Sequence, residues 1–236
     1  MNVLIDNFDV FAKGFWLTFQ ICILAAVGAL LIGTILVIMR ISPVPPLRWL
    51  GTAYVTVFRN IPLTIVFFFT AFVLPVVGSD ASFMKIPGLT TIFDRLGISL
   101  PYFRFAVIAL SLYTAAFVCE ALRSGINAVP PGQAEAARAI GLTFTQNLRH
   151  VVLPQAWKAA IVPLGSVIIA MLKNSALSGF FGVTGDLSNS GYDLVSAQSK
   201  PVIPVFIGIA TGFLIMTVPL GLLLDRIERR RALARS

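Results

Sequence analysis

Residues 14–39 read GFWLTFQICILAAVGALLIGTILVIM, twenty-six residues between Lys13 and Arg40 without a charge. An α-helix rises about 1.5 Å per residue, so roughly twenty apolar residues cross a hydrocarbon core of about 30 Å. This stretch is long enough to span with some tilt. A cleaved signal peptide wants a basic start and a shorter apolar centre. Here the start carries Asp6 and Asp9 and the centre is too long, so the stretch reads as a retained span.

Four more uncharged runs lie downstream. Asn60 to Ser79 is one, with Pro62 suited to a first helical turn. The helix is expected to begin near Gly51, with Arg59 inside its first turns, and to end at Pro75 and Gly78. Phe105 to Cys119 is short alone, but Tyr102 and Phe103 add interfacial aromatics and Ala121 and Leu122 extend it. Ala159 to Leu172 is also short, and apolar character resumes after Lys173, which places that lysine inside the membrane region. Pro201 to Leu224 is the fifth. The expected fold is an all-α integral membrane protein forming one transmembrane domain over 1–236. Its spans fall at about 14–39, 55–78, 103–123, 159–179 and 202–224, with a loop at about 124–157.

The whole chain agrees. Of 236 residues, 57% are hydrophobic and 12% charged, with mean hydropathy +0.90; soluble domains carry about 25% charged residues. That excludes a disordered chain, a disulfide scaffold and an ordinary cytosolic enzyme. Cys22 and Cys119 lie in apolar runs and read as buried thiols. His150 is the single histidine, so no His-rich metal site is present. A Walker A loop needs Gly-Lys. The lysines here follow Ala12, Met84, Trp157, Leu172 and Ser199, so nucleotide energy must come from another chain. GxSxG and HExxH are absent as well. Catalytic residues, bound cofactors and nucleic-acid binding are therefore not expected.

The net charge of +8 matters through its distribution. With the N-terminus outside, the pieces 40–59, 120–158 and 225–236 are cytoplasmic and hold twelve Lys or Arg, against six in the external pieces. The positive-inside rule selects N-out and C-in. The reverse would put Arg229, Arg230 and Arg231 outside. That basic tail suits the anionic inner leaflet or a cytoplasmic partner.

The longest hydrophilic piece has a physical grammar. Pro130 and Pro131 stop one helix and can open another. Residues 132–140 are good helix formers, and Gly141 suits a left-handed C′ position. Thr143 can cap a second short helix expected to end before Pro154. Ala136, Ala137 and Ala139 offer a smooth surface, and Glu135 and Arg138 form an i, i+3 pair on an exposed face. A surface-lying amphipathic linker is the plainer alternative, but it needs neither this length nor a Gly hinge.

Glu135-Ala136-Ala137, Gly141 and Leu153-Pro154 resemble the EAA motif of ABC-importer permease subunits. Phe58-Arg59-Asn60-Ile61-Pro62-Leu63 resembles the family's second-span motif. Tyr113-Thr114-Ala115-Ala116 with Glu120, Arg123, Gly125 and Ile126 resembles its third span. Gln133, Leu153-Pro154-Gln155-Ala156 and Lys173-Asn174-Ser175 resemble the polar amino-acid subgroup. Arg40 to Val44 and Arg123 to Val129 look most like actinobacterial glutamate-type permeases. The doubled proline at 130–131 departs from the family's single one.

The resemblance implies a homo- or heterodimer with a second permease subunit. It implies a cytoplasmic ATP-binding subunit that uses ATP and Mg, an extracytoplasmic amino-acid-binding protein, and transport of a polar amino acid such as glutamate by alternating access. Carried over, Gln133, Glu135, Ala136, Ala137, Gly141 and Pro154 would couple to the ATPase.

Charged groups inside a bilayer cost a few kcal/mol and are functional candidates. Lys173 is about 22 Å along a helix from Lys158, in the outer half of the membrane. With Asn174 and Ser175 it can meet a substrate carboxylate, or it can snorkel outward. Arg59 can line an inner gate or face headgroups. Glu120 and Arg123, at i, i+3, are expected to pair as a structural clamp. The rival functions are a stand-alone secondary transporter and a channel subunit. Five spans with no internal repeat disfavour the first, and no charged pore ring announces the second.

Overall fold

The computed structural model describes residues 2–77 and 101–233, and these are helical with no strand among them. A short α1 (Asn2–Asp6) leads into α2 (Phe8–Ile41). Then come α3 (Pro45–Asn60), α4 (Leu63–Phe68), a π-helical turn (Phe69–Val73) and α5 (Leu74–Val77). Beyond residue 100 lie α6 (Pro101–Asn127), α7 (Pro131–Ala139) and α8 (Phe144–Asn147). A second π turn (Leu148–Val152) runs into α9 (Leu153–Asn174) and a 3-10 turn (Ser175–Phe181). The chain ends with α10 (Leu187–Ser196) and α11 (Val202–Leu233).

Among the described residues four segments are long and apolar enough to cross a bilayer: Phe8–Ile41, Tyr102–Asn127, Arg149–Phe181 and Val202–Arg230. A fifth passes only as a broken pair, Pro45–Asn60 with Leu63–Val73, bent by 104°. Here the expectation of one helix over 55–78 is corrected. Pro62 disfavours helical geometry at the residue before it. Ile61 (φ −93°, ψ 143°) and Pro62 (φ −62°, ψ 138°) are both extended. The proline thus opens a new helix after a break. Arg59 lies in the last turn of α3, not in the first turns of a span. Gly78, the expected end marker, is outside the described residues.

The centre of the bundle is α6, with 72% of its apolar window buried, whereas α11 has 11% and forms the rim. Small side chains let neighbours close on α6, as in membrane bundles generally. Ala109, Ala115, Ala116 and Cys119 on α6 are sealed against Cys22, Ala25, Leu36 and Val37 of α2. Buried positions on α2 recur every three or four residues, from Phe11 through Gly14, Thr18, Ala25 and Ala29 to Gly33 and Val37, the spacing of one helix face. A Cβ on Gly33 would lie 2.5 Å from Val118 Cγ1 and 3.0 Å from the Ala115 carbonyl. On the other side, a Cβ on Gly125 would lie 2.4 Å from the Ala156 carbonyl of α9.

Polar groups inside the bundle bond locally or to a neighbour. Ser111 donates to the Ala25 carbonyl at 3.3 Å, joining α6 to α2. The Tyr54 hydroxyl donates to the Leu112 carbonyl at 2.8 Å, pinning α3 to α6. The close approach at Gly33 sets a test. Gly33→Ala should destabilise the protein by about 1–3 kcal/mol through overpacking. Gly132→Ala, where no atom lies within 4 Å, should be neutral or stabilising by up to about 1 kcal/mol. Thermal unfolding in detergent checks both, and equal effects would sink the close-packing account.

Candidate functional site

The loop between α6 and α9 is a built structure. Pro130 sits at the N-cap of α7 and Pro131 in its first turn, where a missing N–H costs nothing. At the other end Gly141 has φ +88°, a conformation open chiefly to glycine. The Gly141 N–H donates to the Arg138 carbonyl at 2.9 Å, and the Leu142 N–H donates to the Ala137 carbonyl at 3.1 Å. That pair of bonds is a Schellman C-cap.

The next helix starts with a capping box. The Thr143 N–H donates to Gln146 Oε1 at 2.9 Å, and the Gln146 N–H donates to Thr143 Oγ1 at 3.4 Å. Asn147 Nδ2 donates to the Ala134 carbonyl at 2.9 Å and ties α8 to α7. The Thr-x-x-Gln spacing was readable; the part played by Asn147 was not. The second helix does not stop before Pro154 as expected. It passes through the π turn into α9, with Pro154 in the first turn of that helix. A proline there starts a helix because its position needs no donor.

The residues singled out on this loop divide by exposure. Gln133, Glu135, Ala136, Gly141 and Pro154 are open to contact. Ala137 is buried within the chain, so it supports the loop rather than offering surface. No ion pair joins Glu135 to Arg138 among the described residues. Ile140, which sequence reasoning passed over, is 79% exposed. It follows Ala136 by one turn, and together they form an apolar knob.

Close to the same end of the bundle lies a charged cluster. Arg40, in the last turn of α2, donates from Nη1 to Glu120 Oε1 on α6. Arg59 Nη1 stands 3.6 Å from Glu120 Oε2. The expected Glu120–Arg123 pair is therefore corrected: among the described residues Glu120 pairs with Arg40 and Arg59, not with Arg123. The reason is solvation. Arg40 is only 10% exposed, and a sheltered guanidinium needs a counter-ion more than a surface i, i+3 neighbour does.

At the opposite end of α9, Lys173 is exposed and Asn174 half-buried. Ser175 is fully buried, and its hydroxyl donates to the Leu172 carbonyl at 2.7 Å. The three do not present one polar surface. Among the described residues no three His, Cys, Asp or Glu side chains gather as for a metal.

Residues 29–232 match the family described as the binding-protein-dependent transport system inner membrane component. The chain belongs to that family. It is 41% identical to the glutamate transport system permease protein GluC of Corynebacterium efficiens over 92% of each chain. It is 38% identical to the probable glutamine ABC transporter permease protein GlnM of Bacillus subtilis over 98% of this chain and 97% of that one. A solved amino acid ABC transporter with histidines superposes with TM-score 0.79 at 29% identity, covering 97% of each chain. The inward-facing MetNI methionine transporter shares the fold, with TM-score 0.70 at 22% identity. The chain is thus an inner-membrane permease subunit of an ABC importer, without catalytic activity of its own.

The permease has one polar centre that the sequence reading did not single out. Asp186, between α9 and α11, is wholly buried. It caps α10, accepting from the Asn189 N–H at 2.7 Å, and the Ser178 hydroxyl donates to its other oxygen. The next amide, Leu187 N–H, donates to Thr18 Oγ1 of α2 at 3.0 Å. Gly179 must be small here, since a Cβ would lie 2.5 Å from Asp186 Oδ1. The Asp-x-x-Asn spacing after Gly182 and Gly185, both at positive φ, is the signal that marks this cap.

Burial pushes the Asp186 carboxyl up to about 6, against the bonds from Ser178 and the backbone N–H groups of Asn189, Ser188 and Gly179, which favour its charge. Its native pKa is above its ordinary value, so between about pH 4 and pH 6 the folded state holds a proton that the unfolded state releases. Stability contributed by this group falls as pH rises through that window. Melting temperatures in detergent should decline there for wild type. Asp186→Asn should flatten that decline and lower stability throughout, because an amide cannot replace both acceptor oxygens. A slope unchanged in Asp186→Asn would reject the assignment.

Proposed function

We propose that this permease imports glutamate, with its N-terminus outside and its C-terminus and α7–α8 loop in the cytoplasm. The observation that carries the substrate is identity of 41% and 42% with two Corynebacterium glutamate permeases over 92% of the chain. The excess of Lys and Arg in the pieces 40–59, 120–158 and 225–236 supports the orientation. Glutamine is the second reading, favoured by the Bacillus subtilis relative.

In this reading the permease pairs with a second permease subunit in the bilayer. An extracytoplasmic binding protein delivers the amino acid. A cytoplasmic subunit hydrolyses ATP with Mg and seats against Gln133, Glu135, Ala136 and Ile140, with Gly141 and Pro154 fixing the ends of that surface. Ala137 holds the loop from within. Closure of the ATPase moves the loop, and the spans alternate between inward- and outward-facing states. Lys173 offers an exposed ammonium to the substrate carboxylate, with Asn174 beside it.

Three experiments test this. Gly141→Asp adds a Cβ and a negative charge at a position with φ +88°, and Glu135→Arg reverses a surface charge. The combination should lose at least nine tenths of the ATPase that co-purifies with wild type; undiminished recovery would refute the docking surface. Uptake of labelled glutamate by the assembled transporter should be competed by unlabelled glutamate far better than by glutamine. The opposite ranking would transfer the assignment to glutamine. Lys173→Gln should reduce glutamate uptake about tenfold or more, with Lys173→Arg retaining part of it. Equal uptake by Lys173→Gln would place that lysine outside the pathway.

A further inference from the structure

The broken span is interrupted at Ile61–Pro62, and the Arg59–Glu120 ion pair lies beside the break. Ile61 and Pro62 are extended, so no helical ladder crosses from α3 to α4. On the α3 side, Tyr54 is pinned to the Leu112 carbonyl of α6, and Gly51 sits close to α2, where a Cβ would lie 3.0 Å from Arg40 Cγ. Beyond Tyr54 the last turn of α3 runs on to Arg59, two residues before Ile61. Its link to α6 there is the ion pair with Glu120, with Phe58 packed against the cluster that holds Ala115, Ala116 and Cys119.

Glu120 holds its two cations unequally. Arg40 is 10% exposed and directly hydrogen-bonded. Arg59 is 48% exposed and stands at 3.6 Å, beyond the range of an N–H···O hydrogen bond. The first contact is fixed by burial; the second is loose, wet and exchangeable. Glu120 lies seven residues before Asn127, the end of α6, and the loop helix α7 begins at Pro131. A displacement of the loop therefore reaches Glu120 through two turns of continuous helix.

We propose that Glu120 is a positioning residue that ties the hinge at Ile61–Pro62 to the α7–α8 loop, with Arg40 as its fixed partner and Arg59 as the partner it releases and regains during transport. The proposal rests on the reading that this loop meets the ATPase. That reading has its own test in the Gly141→Asp and Glu135→Arg co-purification. Glu120 touches no substrate in this scheme; it sets the angle between α3 and α4.

The test uses the complete transporter in proteoliposomes. The readout is the number of labelled amino acid molecules taken up per ATP hydrolysed, with glutamate and glutamine each supplied. Arg59→Gln should retain the co-purified ATPase and the melting temperature of the complex, while uptake per ATP falls tenfold or more. Arg59→Lys, which keeps the charge, should restore most of the ratio. Adding Glu120→Gln to Arg59→Gln should cost less than Glu120→Gln costs alone, because the two act through one contact. Arg40→Gln should instead lower the melting temperature. The proposal is overturned if Arg59→Gln keeps the wild-type ratio, or if it lowers melting temperature and leaves the ratio unchanged, or if the double variant shows the product of the single effects.

Discussion

A hydrocarbon environment offers no water to an unpaired backbone amide, and each one left open costs several kcal/mol. Two departures from straight helix among the described residues can be traced to how that demand is met. At Ile61–Pro62 the chain turns by 104°. The Ile61 N–H still donates to the Val57 carbonyl at 3.1 Å, Pro62 has no N–H to satisfy, and the Ile65 N–H reaches the Pro62 carbonyl at 3.0 Å. After α9, Asp186 accepts from the Asn189 N–H at the start of α10 and Thr18 takes the Leu187 N–H. The loops are breaks in the ladder that bring their own partners.

The same demand explains the choice of side chains around α6. A helix surrounded by others has no lipid to face, so its neighbours must come close enough for dispersion to substitute for the hydrophobic effect. Alanine, glycine and cysteine allow it. Serine and threonine then discharge their hydroxyls onto nearby carbonyls, as Ser111 does on Ala25 and Thr70 on Val66. The charged exception is Glu120, placed where α2, α3 and α6 converge. Two guanidiniums and one carboxylate leave that cluster net positive, and unequal exposure gives its two contacts different permanence.

The spans were legible in the sequence because a charge inside a bilayer is rare, so its absence over some twenty residues is informative by itself. The loop was legible because Pro130, Pro131 and Gly141 each impose a backbone geometry that holds whatever surrounds them. The hinge was half legible. Pro62 announced a helix start, but nothing local says whether the preceding apolar turns belong to the same rod. The ion cluster was hidden for a different reason. Arg40 and Glu120 are eighty positions apart, and helix spacing rules reach only three or four residues, so they proposed Arg123. Asp186 was hidden likewise: its neighbours Ser178 and Asn189 are near in sequence, but its burial is conferred by packing.

A subunit that hydrolyses no ATP must receive work through a surface and deliver it elsewhere without losing it in soft connections. The α7–α8 loop is stiffened at each joint, by two prolines at its entry, a Schellman cap at Gly141, a capping box at Thr143 and the Asn147 bond to Ala134. At its exit it has no loop at all, because the π turn runs directly into α9. On the entry side, α6 is one unbroken helix from Pro101 to Asn127 in the most buried position of the bundle. The helical ladder is interrupted at Ile61–Pro62, and Arg59, two residues before that break, stands 3.6 Å from Glu120 on the central helix. The placement of the stiff joints and of the break at Ile61–Pro62 follows from the same residues that make the chain foldable in a membrane.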